Sequence, residues 1–164
     1  MTYYFEDFAV GRAFELGQCT VSEEEIVAFG TRYDPQPFHA DRVVAADSMF
    51  GGLIASGVHT MALYMRLFVD GVLSDSASLG SPGIDELRWP APMRPGDTLR
   101  ARYTVASARK SQSRPEWGIV QGLATAENQK GVTVMTMSII NLFTRRVATD
   151  DGGALRPPGP AAPL

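Results

Sequence analysis

Leu53-Ile54-Ala55-Ser56-Gly57-Val58-His59-Thr60-Met61-Ala62-Leu63-Tyr64-Met65-Arg66-Leu67-Phe68-Val69-Asp70-Gly71-Val72-Leu73 is the stretch that decides the fold. Val58, Met61, Ala62, Met65, Val69 and Val72 recur at helical spacing, and Leu63, Tyr64, Leu67 and Phe68 fill most of the other faces. A helix apolar nearly all round belongs inside a protein rather than on its surface. In a chain of only 164 residues, burying it requires a sheet wrapped around it. Arg66 and Asp70 interrupt the run, so it is not read as a membrane span.

The C-terminal half supplies that sheet. Residues 82–92 read as a strand interrupted by Pro90 and Pro92, and Met93-Arg94-Pro95-Gly96-Asp97 reads as a turn. From Thr98 to Ala108, Leu99, Ala101, Tyr103 and Val105 face one way while Arg100, Arg102 and Thr104 face the other. Trp117–Ala126 and Val132–Phe143 are two further strands, joined by the turn Glu127-Asn128-Gln129-Lys130-Gly131. Upstream, residues 1–11 form an irregular lead-in ending at Gly11, and Phe14–Val21 is a short strand. Ser22-Glu23-Glu24-Glu25 is a capping box that starts a helix, with Ile26, Phe29, Gly30 and Tyr33 continuing at helical spacing. Pro35 stops that helix at Tyr33 or Asp34. Asp41–Asp47 is a short helical turn. Long antiparallel strands on consecutive hairpins, curled round one long central α-helix, make an α+β protein of the hot-dog type. The expected domain is 1–148, and the Gly-, Pro- and Ala-rich residues 149–164 read as a flexible C-terminal tail.

Bulk properties narrow the class. Hydrophobic content of 45% is that of a globular domain with a real core. A net charge of −3, without blocks of like charge, argues against nucleic acid as a partner. The single cysteine, Cys19, cannot form an internal disulfide and suits a reducing, cytoplasmic compartment. The acidic N-terminus lacks the basic-then-apolar layout of a signal peptide.

The chemistry concentrates in Tyr33-Asp34-Pro35-Gln36-Pro37-Phe38-His39. It joins an acid to one of only two histidines. Five extended residues would hold the two roughly 16 Å apart, so a curled loop is needed, and the prolines make curling cheap. Pro35 and Pro37 push Asp34 and Gln36 out of the helical region, and each proline's φ is already fixed. A carboxylate at a helix C-terminus faces the negative end of the dipole, which predicts a raised pKa for Asp34. The other histidine, His59, lies on a helical stripe with Leu63, Arg66 and Asp70. It reads as a buried, hydrogen-bonded or subunit-interface residue before a substrate contact. Two histidines twenty apart, without neighbouring cysteines, give no metal site.

Asp34-Pro35-Gln36-Pro37-Phe38-His39 resembles the D-x-N-P-x-H motif of the MaoC-like, (R)-specific enoyl-CoA hydratases. Tyr4-Phe5-Glu6-Asp7-Phe8-Ala9-Val10-Gly11, Phe50-Gly51-Gly52-Leu53-Ile54-Ala55-Ser56-Gly57 and Arg94-Pro95-Gly96-Asp97-Thr98-Leu99 are similar to that family's sequence, in the same order. The resemblance implies a hot-dog fold, an acyl-CoA thioester substrate, and water added to a 2-enoyl group or removed from a 3-hydroxyacyl group. It implies Asp34 and His39 as the acid–base pair and the backbone N–H of Gly57 as oxyanion donor. Gln36, Ser56, Phe38 and Phe50 would bind or position the substrate. Gln36 stands where the motif has Asn, with a longer reach. No metal or redox cofactor is expected, because the substrate itself carries CoA or a phosphopantetheine carrier. Expected assembly is a homodimer or higher homo-oligomer, or pairing with a related MaoC-like chain. Two alternatives stay open: a thioesterase on the same fold, and a non-catalytic acyl-thioester-binding or partner subunit.

Overall fold

In the computed structural model, residues 2–146 are described; the tail expected at 149–164 lies outside them. The elements run β1 (Ala13–Thr20), α1 (Glu23–Tyr33), α2 (Pro37–Ala40), α3 (Arg42–Ala46), α4 (Gly57–Phe68), β2 (Ser78–Arg88), β3 (Thr98–Lys110), β4 (Trp117–Glu127) and β5 (Thr133–Thr144). The five strands form one antiparallel sheet in the order β1-β3-β4-β5-β2. β3-β4 and β4-β5 are the two consecutive hairpins. β1 and β2 arrive from elsewhere in the chain and become the edges.

The sheet curls over α4. The expected alternation on β3 holds: Leu99, Ala101, Tyr103 and Val105 are buried. They face Tyr64, Phe68 and Val72, which project from α4 and the π-helical turn Val69–Leu73 that continues it. Phe68 stacks on Tyr103 with ring centroids 4.6 Å apart. Each large side chain so buried contributes about 1.5–3 kcal/mol relative to exposure. The two buried phenols are satisfied: Tyr64 Oη donates to the Arg102 carbonyl and Tyr103 Oη to Asn141 Oδ1. Phe8, stacked on Phe143, belongs to the same core.

Two sequence readings need correcting. The central helix is not buried all round. Its buried stripe is Thr60, Tyr64, Phe68 and Val72, whereas Val58, Ala62 and Arg66 are exposed in the single chain. A single layer of sheet covers one side of a helix, and the other side stays open. The second correction is β2, which begins at Ser78 rather than residue 82 and ends at Arg88, before Trp89 and Pro90. Ser78-Leu79-Gly80-Ser81-Pro82-Gly83 looks like a loop by composition. It is nevertheless paired with β5 through three register shifts, the irregular edge in which glycine and proline are tolerated.

Candidate active site

The capping box forms as expected: the Ser22 hydroxyl accepts from the Glu25 amide, and Glu25 accepts from the Ser22 amide. α1 then runs to Tyr33 and leaves Asp34 as its C-terminal cap, whose N–H donates to the Gly30 carbonyl at 2.9 Å. Pro35 prevents continuation. Gln36 turns back, its N–H donating to the Asp34 carbonyl at 2.7 Å, and Pro37 opens α2 at the first helical position. His39 thereby lies one short helical turn beyond Asp34. Close packing fixes the two helices together. A Cβ on Gly30 would lie 2.8 Å from the His39 carbonyl carbon and 2.9 Å from its Cβ, so only glycine lets α1 approach α2 this closely.

The resulting geometry brings acid and imidazole together: Asp34 Oδ2 lies 3.4 Å from His39 Nε2. His39 is buried, and its Nδ1 lies 2.8 Å from the Ile54 carbonyl oxygen. A carbonyl can only accept, so Nδ1 carries a hydrogen. In the neutral ring this leaves a bare lone pair on Nε2, the atom turned toward Asp34. The Ile54 N–H in turn donates to the Phe38 carbonyl, and Ala55 N–H to the Met93 carbonyl, so the strap that orients the imidazole is itself anchored at both sides.

Asp34 is held just as firmly. Gln36 Nε2 donates to Oδ1 at 2.8 Å, and Ser56 Oγ donates to Oδ2 at 2.7 Å. The glutamine that replaces the motif's asparagine therefore still reaches the acid. These two hydrogen bonds, Gln36's first, hold the Asp34 carboxyl below the ordinary carboxylate range, against a smaller opposing effect of burial. This reverses the rise expected from the helix C-terminus, because direct donors at hydrogen-bond distance outweigh a dipole effect worth at most a kilocalorie or so at an exposed end.

Ser56 also caps α4, accepting from the Val58 amide at 3.2 Å. Gly57 is the first residue of that helix, and none of the described residues accepts from its N–H. The helix dipole adds positive character to this open donor. One cavity of about 430 Å³ is lined by every residue expected at the site: Asp34, His39, Gly57, Gln36, Ser56, Phe38 and Phe50. Phe38 packs edge-on to His39 at 4.6 Å and against Phe50 at 5.1 Å, forming an aromatic wall. Arg94 steadies Phe50 by donating to its carbonyl at 2.7 Å.

The sequence reading missed two contributors. The Ile54 carbonyl is backbone and carries no side-chain signal. Trp89, which packs directly on Gly57, sits after β2 among the prolines that looked like strand interruptions. His59 is buried as expected but not hydrogen-bonded: its ring stacks on Phe29 at 4.5 Å, and among the described residues Nδ1 has no partner. Burial lowers its pKa, with a smaller opposing influence from Glu25. It does not line the cavity.

Fold and site together define a hot-dog protein with an acid, an imidazole and a free amide facing one cavity. The family model described as the MaoC like domain matches residues 7–137, and the chain belongs to that family. Among curated proteins, it is 30% identical to the uncharacterized protein YdeM of Bacillus subtilis over 85% of this chain and 98% of that one. It is 33% identical to the (R)-specific enoyl-CoA hydratase of Rhodospirillum rubrum over 63% of this chain and 69% of that one. The crystal structure of a MaoC-like dehydratase from Rhodospirillum rubrum is similar at 40% identity and a TM-score of 0.81, covering 88% of this chain and 99% of that one. A Mycobacterium tuberculosis protein described as a double hot-dog fold matches at 17% identity and a TM-score of 0.74, over 92% of this chain and 47% of that one. That last likeness concerns the fold.

No helix among the described residues is long and apolar enough to cross a membrane.

Proposed function

We propose that this protein is an acyl-thioester hydratase/dehydratase that adds water to a 2-enoyl-CoA to give the (R)-3-hydroxyacyl-CoA, or runs the reverse. The observation that carries this reading is the convergence of Asp34, His39 and the unpartnered Gly57 amide on one cavity, in a chain of this family. Asp34 Oδ2 and His39 Nε2 are close enough for both to contact one water oxygen at ordinary hydrogen-bond lengths.

The hydrogen bonds support one division of the proton roles. Asp34, with a donor on each oxygen that favours its charged form, is the anion that holds and orients the water. The lone pair of His39 Nε2 takes a proton from water as its oxygen bonds to the β-carbon. The C=C electron pair moves onto the thioester oxygen, whose charge is received by the Gly57 N–H. The imidazolium, steadied by Asp34, then delivers its proton to the α-carbon as the enolate collapses. One water is consumed, and both its hydrogens are accounted for. CoA or a phosphopantetheine carrier is part of the substrate in this reading, and no further cofactor takes part.

Crotonyl-CoA tests the proposal. Loss of the enoyl absorbance without free thiol is expected, with Asp34→Asn and His39→Ala each lowering kcat/KM by about 10²–10⁴. Release of free thiol would identify a thioesterase instead. Unchanged turnover in both variants would remove the acid–base assignment.

A further inference from the structure

Trp89 is unexplained by the acid–base chemistry. It follows β2 directly and precedes Pro90. A Cβ on Gly57 would lie 2.6 Å from its Cε2, 2.7 Å from Cδ2 and 3.0 Å from Cζ2, so the benzo side of the indole rests on the Cα of the oxyanion residue. Gly57 has no left-handed φ that would demand glycine. Its missing side chain is instead the space that Trp89 fills. Yet the indole is not a core residue: it is 45% exposed, and among the described residues it makes no hydrogen bond. A large aromatic residue is thus held half-exposed where nothing in the core requires it.

Trp89 borders two spaces: the 430 Å³ cavity of Asp34 and His39, and a hollow of about 390 Å³ formed by Leu87, Arg88, Trp89 and Pro90. The inner volume is near the small end of ligand sites, which run from about 300 to 1,000 Å³. The wall cannot swing easily at its base. Pro90 and Pro92 stiffen the segment, and the Ala55 N–H donates to the Met93 carbonyl at 2.8 Å.

We propose that Trp89 is the specificity-determining wall of the reaction cavity, limiting the size of the acyl group accepted beside the Gly57 amide. This rests on the hydratase reading. The indole caps the end of the cavity that holds the oxyanion donor. Truncating it joins the inner cavity to the outer hollow and makes room for a longer or branched chain. The apolar face also keeps water away from the Gly57 N–H, so short substrates benefit from Trp89 while long ones are obstructed by it.

The test compares crotonyl-CoA with trans-2-dodecenoyl-CoA for wild type, Trp89→Phe and Trp89→Ala. The ratio of kcat/KM for the long over the short substrate is expected to rise at least tenfold in Trp89→Ala and by an intermediate factor in Trp89→Phe. A ratio that stays within twofold, or an equal loss on both substrates, overturns the proposal, because a merely structural residue would affect both alike. If wild type hydrates neither substrate, the hydratase reading fails, and the wall is judged by binding. In a Trp117→Phe background Trp89 is the sole tryptophan, and titration with dodecanoyl-CoA should change its emission. No change there also overturns the proposal.

Discussion

Asp34 and His39 are separated in sequence by Pro35, Gln36, Pro37 and Phe38, and each of those residues has a physical duty, Phe38 packing edge-on to the imidazole. The prolines end one helix and start the next, and Gln36 and Ser56 supply the donors that keep Asp34 charged. A carboxylate whose pKa is held down by donors must rise when a donor is lost. Gln36→Ala is expected to raise the Asp34 midpoint toward the ordinary carboxylate value of roughly 3.9, and by more than Ser56→Ala does. NMR titration of the side-chain carboxyl carbons would show the order directly, and a midpoint unchanged in both variants would contradict the assignment. The sign carries over to stability. The lowered folded-state pKa stabilises the fold above the unfolded carboxylate pKa, and that contribution is lost as pH falls through the folded value. Gln36→Ala should therefore flatten the acid side of the stability profile. The pair itself was legible in the sequence because residue type and local spacing carry it. The direction of the pKa was not, because the spacing does not show that the Gln36 amide turns back onto the carboxylate, nor that the Ser56 hydroxyl joins it from beyond the loop, and together they outweigh the helix end.

At the scale of elements, the short α2 exists because α1 lets it approach. Gly30 is an interior helical glycine, which costs roughly 0.5–1 kcal/mol relative to alanine in helix propensity. Here the missing side chain admits the His39 backbone. Gly30→Ala should therefore destabilise the protein despite the better propensity, by about 1–3 kcal/mol as in overpacked cores. Urea denaturation measures this, and crotonyl-CoA turnover should fall further than stability alone explains, since His39 is displaced from Asp34. A variant as stable as wild type would show that the two helices can part without loss. The strands on hairpins, β3, β4 and β5, were readable almost to the residue from alternation and turn chemistry. β2 was not, because Gly80, Pro82 and Gly83 carry no strand signal, and only pairing with β5 makes that segment extended. The helix at Leu53–Leu73 was recognised by its apolar content, but that content cannot say which face the sheet will cover. Thr60 is buried because the sheet lies on the Tyr64–Phe68 side, His59 because its ring lies against Phe29 of α1, while Val58 is exposed.

At the scale of the whole molecule, two features are left unmatched among the described residues. β2 is an edge strand of eleven residues, exposed along nearly all its length, and α4 keeps apolar surface such as Val58 in the open. A long free edge invites pairing with another chain. An antiparallel strand pairing with its own copy gives a self-complementary two-fold contact, the commonest form of oligomer. The expected solution state is a homodimer joined through β2, with the two sheets continuous. Sedimentation equilibrium should give twice the 17.7 kDa chain mass. Ile84, 40% exposed on β2, offers a probe. Ile84→Lys brings like charges together near the two-fold axis and should shift the mass toward the monomer while the far-UV circular dichroism of the sheet persists. Because Trp89 continues directly from β2, loosening this seam should also lower turnover of crotonyl-CoA. A wild-type mass of one chain at micromolar concentration would rule the dimer out, and a dimer indifferent to Ile84→Lys would move the interface from β2 to the exposed side of α4.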